Sequence, residues 1–536
     1  MRLTLRDVYA ALDYGVLNGG DAVVFSGVST DTRTLTPGDL FVALLGPQTD
    51  GHQHIAAALR AGAAGLLVSQ PVVASPSLPV LRVPDTQVAY GLLARYWRDR
   101  FPLPVVGVTG SVGKTTVKEM LALALSPLGP VLKTAASQNN ETGVPKALLT
   151  LTPAHKAAVV EMGMRGSGQI AYLCGIARPT VGVVTVIADN HLELLGSRDA
   201  IADAKGELLE SLPADGLAVL NAADPYLPRL SAKTAARVVE YGEKAAPTPS
   251  PSLHPATEAW QLGAASGRRE PEKKEKTALY PSPGTGEGWA GTAGGGGLLP
   301  ADIQQTETGW AFTVRGVSIE VASLSRHDIG NALAALTVAE ALGVSLSDAA
   351  AALKVYTPPP MRMQVIRTGW GGTLLNDAYN AAPASVATAL QTLVSTPGSR
   401  KIAFLGDMRE LGIRAEDAHQ ELGGVIAGFG GIDALYTVGS LAALIPNAAR
   451  RFADSSEAAK FAKDLVLAAG DVVLVKGSRA MVMERIAAAL EETHPATRKP
   501  HPASSLSDPL LNKERVGSLS EPGEVLPGGV GSEPRP

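Results

Sequence analysis

The run GVTGSVGKTT at residues 107–116 has the residue types and the order of a phosphate cradle. It follows the apolar stretch Pro104-Val105-Val106 and precedes a helical pattern from Thr116 to Ala124, so strand, glycine turn and helix start come in sequence. In that arrangement the backbone amides of Gly110, Ser111, Val112, Gly113 and Lys114 turn toward an anion, and the helix N-terminus adds about half a positive charge. Lys114 supplies a mobile ammonium for the β- and γ-phosphates, Thr115 a hydroxyl for Mg²⁺, and Thr116 belongs to the same first turn. The spacing departs from the common pattern. Val108 stands five residues before Gly113 and the flanking glycine is Gly107, which makes the loop one residue longer.

A cradle of this kind implies only nucleotide binding; the reaction depends on what stands beside it. Three candidates follow in order. Glu161 ends the apolar run AAVVEMG (157–163), His191 ends VGVVTVIADNH (181–191), and Lys205 lies on a helix expected from Asp199 to Ser211. In a parallel sheet these positions reach the same edge as the cradle, where α/β folds bind their ligands. A strand-end carboxylate facing a metal-bound nucleotide is a hard oxygen ligand of the right kind. Taken singly, Glu161 also reads as a solvated acid, His191 as a hydrogen-bonded structural residue and Lys205 as a surface helix lysine. Their order behind the cradle is what gives them weight.

The elements that must position these groups fall into three units. Residues 1–101 read as a small α/β unit with Val23-Val24-Phe25, a polar turn STDTR (29–33), DLFVALLG (39–46) and a helix from His54 to Ala61. Its loop GPQTDGH (46–52) follows a strand, where ligand contacts are common. Residues 102–356 alternate helices with continuous apolar strands, including LAVLNAADP (217–225), which argues for a doubly wound parallel sheet. Between Glu243 and Pro300 the composition shifts to Pro, Gly, Ser, Lys and Glu, and a disordered insertion is expected there. Residues 357–492 form a third α/β unit with strands at KIAFLGD (401–407), ALYTVGS (434–440) and DVVLVKGS (471–478), and the tail from 493 is expected to be mobile.

Composition narrows the function classes. A chain of 536 residues holds about three or four domains. A net charge of -4 leaves no global basic field, so nucleic acid is not an expected partner. The lone cysteine, Cys174, cannot form an internal disulfide, which fits a reducing cytosol and excludes a cysteine-based metal cluster. The N-terminus alternates charged and apolar residues, unlike a signal peptide, and no run of about 18 uncharged apolar residues occurs. A cytoplasmic protein without a membrane span is therefore expected.

At this point a resemblance is plain. TGSVGKTT, SQNNETGVP (137–145), VVEMGM, NHLELLGS, DAKGELL, NAADP and RHDIGNALAA (326–335) are similar to the motifs of the Mur ligases. NDAYNAAP (376–383), LGDMRELG (405–412) and VKGSRAMVME (475–484) resemble the member of that family that adds D-alanyl-D-alanine, and the Asp-Asn-Pro-Arg motif of the member adding the third peptide residue is missing. The resemblance implies an N-terminal UDP-substrate domain, a central P-loop ATPase domain and a C-terminal Rossmann-like ligase domain. It implies ATP and Mg²⁺ as cofactors, and UDP-MurNAc-tripeptide and D-alanyl-D-alanine as substrates; a monomer is expected.

By the same resemblance Lys114 and Thr115 handle phosphates and Mg²⁺, Glu161 binds Mg²⁺, His191 helps hold a second Mg²⁺, and Lys205 matches a lysine that the family carbamylates. Asn331 is expected at the adenine, and Arg362, Asp377, Tyr379 and Asn380 at the ribose and phosphates. Thr30, Asp31, Thr32 and Arg33 fall at the UDP loop, Asn139 and Asn140 at the substrate loop, and Lys476, Ser478 and Arg479 near the dipeptide or γ-phosphate. Val186, Asp328, Met361 and Ala382 depart from the family pattern. A related ligase adding another amine, such as a folylpolyglutamate synthase, is the alternative within the class. A P-loop NTPase switch is the alternative outside it, although a guanine-specifying Asn-Lys-x-Asp run is absent.

Overall fold

A computed structural model of the chain describes residues 1–13, 22–46, 49–136, 138–190, 192–242 and 297–493. The bulk of the expected insertion, the tail from 494 and His191 lie outside the described residues.

The central sheet has six parallel strands in the order Arg237–Tyr241, Leu217–Asn221, Val181–Val184, Val105–Thr109, Ala157–Glu161, Val131–Lys133. Its strands read as continuous apolar runs because both faces are covered. Val105, Ala158 and Val160 pack into a core shared with the helices Thr86–Arg98 and Gln169–Ala177. Val106, Val108, Ala157 and Val159 face a second core built with the helices Lys114–Ala124 and His327–Ala341. The chain switches direction across the sheet at Val105–Thr109, whose carboxyl end opens directly into the cradle. That is the place where a doubly wound sheet leaves a crevice for a ligand.

Two neighbouring sheets complete the three-domain α/β architecture. An N-terminal sheet runs parallel through Val28–Ser29, Leu40–Val42, Gly65–Val68 and Val80–Arg82. The C-terminal sheet has six strands in the order Gln364–Arg367, Thr373–Asp377, Val472–Lys476, Lys401–Gly406, Ala434–Val438, Arg450–Phe452, parallel except for the first pair. No helix among the described residues is long and apolar enough to cross a membrane.

Three features differ from the sequence reading. The run from Val181 was expected to be one strand to His191, but pairing ends at Val184 because Thr185–Asn190 leave the sheet to cross over the cradle. There Thr185 N–H donates to Thr109 O (3.0 Å) and Ala188 N–H to Ser111 Oγ (2.9 Å). The expected insertion stops short of Pro300, since Leu298 is buried in the second core. Beyond it, Ala301–Gln305, Trp310–Val314 and Val317–Val321 form an antiparallel three-stranded sheet absent from the sequence reading. Its signal was present: Phe312, Val314, Ile319 and Val321 alternate inward around a turn at Arg315-Gly316, both at positive φ (48° and 79°), as a tight hairpin requires.

Candidate active site

The cradle lies at one wall of a cleft of about 940 Å³, and the opposite wall comes from the C-terminal domain. Gly110 has φ +140° and Gly113 φ +89°, backbone settings that side chains rarely adopt. A Cβ at Gly110 would overlap Thr185 Oγ1, and one at Gly113 would come within 2.7 Å of Asn331 Oδ1. Both glycines are thus required by sterics as well as by phosphate approach. Gly110→Ala is expected to destabilise the protein by about 2 kcal/mol or more and to remove nucleotide binding, read by thermal melting and by ADP titration.

Helix Lys114–Ala124 starts directly after Gly113, so its first-turn amides lack intrahelical partners and face the cleft. The amide of Ser111, expected to face phosphate, instead donates to Val186 O at 2.7 Å, and Thr185 Oγ1 donates to Val112 O at 2.5 Å. The crossing segment therefore takes over part of the loop and holds its shape. Sequence spacing could not reveal that clamp, because its two halves are 73 residues apart.

Lys114 and Lys205 converge on one atom: Lys114 Nζ donates to Gly110 O at 2.8 Å and Lys205 Nζ to the same oxygen at 2.9 Å. Lys205 is carried by helix Arg198–Glu210, whose Ser197 cap accepts from Ala200 N–H at 3.1 Å, a contact that stabilises the helix by about 1 kcal/mol. Its side chain is only 2% exposed. Burial first, and the neighbouring charge of Lys114 second, hold the Lys205 amine well below the usual lysine range. Lys114 is also lowered, by burial and to a lesser degree by Arg362, while Glu161 opposes the shift. The cleft thus keeps one lysine disposed to be a neutral amine beside another.

Thr115 and Glu161 meet the requirement for a divalent cation. Thr115 Oγ1 and Glu161 Oε2 are buried oxygens without a hydrogen-bond partner, whereas Glu161 Oε1 accepts from Asn139 Nδ2 at 2.8 Å. Two buried hard oxygens that accept no hydrogen bond, beside a phosphate cradle, fit Mg²⁺, because such groups are otherwise costly to bury.

The C-terminal wall contributes Arg362, whose guanidinium lies 3.9 Å from the Tyr379 ring centroid. Met361, one of the positions expected to depart from the family pattern, sits at φ +59°, so this chain holds a side chain in a left-handed turn next to Arg362. Asp377 accepts from Met363 N–H (3.0 Å) and from Lys476 Nζ (2.5 Å), and Lys476 also donates to Asn380 O (2.9 Å). Lys476 therefore orients Asp377 and Asn380 in this arrangement. Asn331 donates to Asp328 Oδ1 at 2.7 Å; a carboxylate only accepts, so the amide oxygen is left toward Gly113.

Not every expected residue joins the cleft. Asn139 and Asn140 line it, with Asn140 Oδ1 accepting from Gly143 N–H at 2.9 Å. Thr30, Asp31, Thr32 and Arg33 stand apart on the N-terminal domain, where the Arg33 guanidinium donates to the Asp31 carboxylate at 2.9, 3.1 and 2.7 Å. Ser478 is buried, accepting from Arg409 N–H at 2.8 Å, and Arg479 pairs with Glu484 at 2.6 Å outside the cleft lining. The structure adds His327, missed by the sequence reading, whose Nε2 lies 3.2 Å from Thr388 Oγ1 across the two cleft walls.

Comparison with known proteins agrees with this geometry. The chain matches the Mur ligase middle domain over residues 108–258, the Mur ligase glutamate ligase domain over 361–479 and the Mur ligase family catalytic domain over 24–98. It is 36% identical to the UDP-N-acetylmuramoyl-tripeptide--D-alanyl-D-alanine ligase of Synechocystis sp., covering 81% of this chain and 84% of that one. Its identity to the ligase of the same name in Escherichia coli is 35%, covering 82% and 88%. Among solved structures, MurF from Acinetobacter baumannii superposes with a TM-score of 0.75 at 27% identity, covering 92% of this chain and 99% of that one. MurF ligase from Thermotoga maritima, determined in complex with ADP, superposes with a TM-score of 0.70 at 27% identity, covering 87% and 97%. With the cradle, the acidic strand end and the second wall all in place, the chain belongs to the Mur ligase family.

Proposed function

We propose that this enzyme is an ATP-dependent amide ligase that joins D-alanyl-D-alanine to UDP-MurNAc-tripeptide through an acyl phosphate, giving UDP-MurNAc-pentapeptide. The observation that carries the chemistry is the pair of buried oxygens that accept no hydrogen bond, Thr115 Oγ1 and Glu161 Oε2, in the same cleft as Lys114. The shared name of the relatives supports the choice of substrates.

A carboxylate resists amine attack because its charge repels the nucleophile and oxide leaves poorly. Transfer of the γ-phosphoryl of ATP to the terminal carboxylate of the tripeptide forms a C–O–P link and releases ADP. The free amine of the dipeptide then adds to that carbonyl, loses a proton, and phosphate leaves as the amide forms. Lys114 neutralises the transferring phosphoryl, the main contribution a protein makes to such a transition state. Thr115 and Glu161 would hold Mg²⁺, which when bound neutralises phosphate charge. Arg362, held over Tyr379, and Asp377, held by Lys476, reach the nucleotide from the far wall and exclude water. Asn331 is proposed to contact the adenine side, its amide oxygen being turned toward Gly113.

Lys205 is proposed to carry a carbamate. Its neutral amine can add CO₂ and release one proton, which turns a buried cation into an anionic oxygen ligand. Burial favours the neutral amine that this addition requires. His191 is proposed as a further metal ligand, the loop Thr30 to Arg33 as the UDP contact, and Asn139 and Asn140 as the sugar-peptide contact. Residues 1–101, 102–356 and 357–492 are assigned accordingly to UDP-substrate, ATP and ligase domains. A monomer is proposed, and the use of ATP and a UDP-linked substrate supports a cytoplasmic site.

The test is phosphate release with ATP and UDP-MurNAc-tripeptide, with and without D-alanyl-D-alanine. Release that depends on all three is expected; equal release without the dipeptide would mark a plain ATPase. Glu161→Gln keeps the acceptor for Asn139 but removes one metal oxygen. It is expected to lower kcat/KM by about 100-fold or more and to raise the Mg²⁺ requirement, read by titrating Mg²⁺ at saturating ATP.

A further inference from the structure

Lys118 is a lysine with no exposed surface, one turn beyond Lys114 on the helix that starts the cradle. A buried ammonium needs partners, and this one has three. Its Nζ donates to Ala136 O at 2.6 Å, lies 3.1 Å from Glu119 Oε1 and 3.7 Å from Glu161 Oε2. Ala136 is itself unusual: it sits at φ +44°, in the left-handed region that an alanine adopts only when its surroundings hold it there.

The bend at Ala136 has a consequence for the cleft. It turns the chain back so that Asn139 Nδ2 reaches Glu161 Oε1 at 2.8 Å and Asn139 O accepts from Gly163 N–H at 2.8 Å. Farther along, Glu141 O accepts from Gln87 Nε2 of the N-terminal domain at 2.6 Å. The turn is thus tied at three points, and the tie at its strained residue is the Lys118 ammonium.

We propose that Lys118 is a positioning residue: by holding the Ala136 carbonyl it shapes the Asn139–Asn140 turn on which the sugar-peptide substrate rests. This depends on the reading of that turn as the substrate contact. The Lys118 charge is balanced by Glu119 and Glu161, which is what lets a lysine serve here without solvent. An uncharged residue could make the hydrogen bond but would take this counter-charge from the buried Glu161 and leave Glu119 paired with Lys133 alone.

The test uses the full-length enzyme and two variants. Lys118→Met removes charge and hydrogen bond; Lys118→Gln removes the charge but keeps an N–H donor, and is the fallback if the first does not fold. In either folded variant, amide exchange over residues 138–142 is expected to rise at least tenfold while exchange in Lys114–Ala124 stays as in wild type. The KM for UDP-MurNAc-tripeptide is expected to rise about tenfold in Lys118→Met and less in Lys118→Gln, with the KM for ATP within twofold. Unchanged exchange at 138–142, or a KM for ATP that rises as much as that for the sugar-peptide, would overturn the proposal. Faster exchange with an unchanged sugar-peptide KM would reject the turn as the substrate contact. Wild-type phosphate release separately decides whether the enzyme is a ligase at all.

Discussion

Lys114→Ala is expected to reduce ligation by about 100- to 1,000-fold while leaving the fold intact. The side chain makes one hydrogen bond, to Gly110 O at 2.8 Å, a contact that Lys205 duplicates from the other side. Removing it should therefore not open the loop. What is lost is the mobile cation at the transferring phosphoryl, and loss of one such stabilising group costs about 3–4 kcal/mol in barrier. The shift in Lys114 points the same way: burial penalises its charge, so its removal is not expected to cost stability. The measurement is kcat for phosphate release together with the melting temperature. A normal kcat would remove the lysine from the mechanism, and a collapsed melting temperature would show a structural role instead.

Lys205→Ala is the second large effect. Loss of activity of about 100-fold or more is expected, with partial recovery on adding a short carboxylic acid, because a carboxylate in the vacated space can replace the carbamate oxygens. Failure of every such acid to restore activity, in a folded variant, would argue against the carbamate. Stability should move the other way when the site is unmodified. The folded-state pKa of Lys205 lies well below its unfolded value, so between the two the unfolded chain binds the extra proton. Unmodified Lys205 therefore opposes folding as pH falls through that window and ceases to do so above it. Lys205→Met, which fills the space without a charge, is expected to melt at or above the wild-type temperature at neutral pH and to lose that advantage in alkaline buffer.

Much of the site was legible because it is made by local rules. The cradle is a contiguous strand, turn and helix, and the positive φ of Gly110 and Gly113 is what their glycine identity announces. Glu161 was readable as the end of a continuous apolar strand, and Lys205 as part of a helix. The antiparallel sheet at 301–321 was missed because a composition-biased stretch precedes it and its strands are only half buried. The clamp of Thr185 on Val112 was missed because the run after Val184 is as apolar as a strand. Asn139 was placed at the substrate loop, but its bond to the Glu161 carboxylate was not foreseen.

The sequence by itself determined the three α/β units, the cradle and the acid and lysine that follow it, because steric limits on backbone angles and the burial of apolar runs act between near neighbours. Only the tertiary structure decided that Lys114 and Lys205 share one carbonyl, that the Ser111 amide is occupied, that Lys476 turns to Asp377 and that Arg479 turns away. Those outcomes depend on which strand ends the parallel register brings together from positions up to 99 residues apart. No local pattern records which buried cation will meet which oxygen, since that choice is made by desolvation and charge after the sheets have closed.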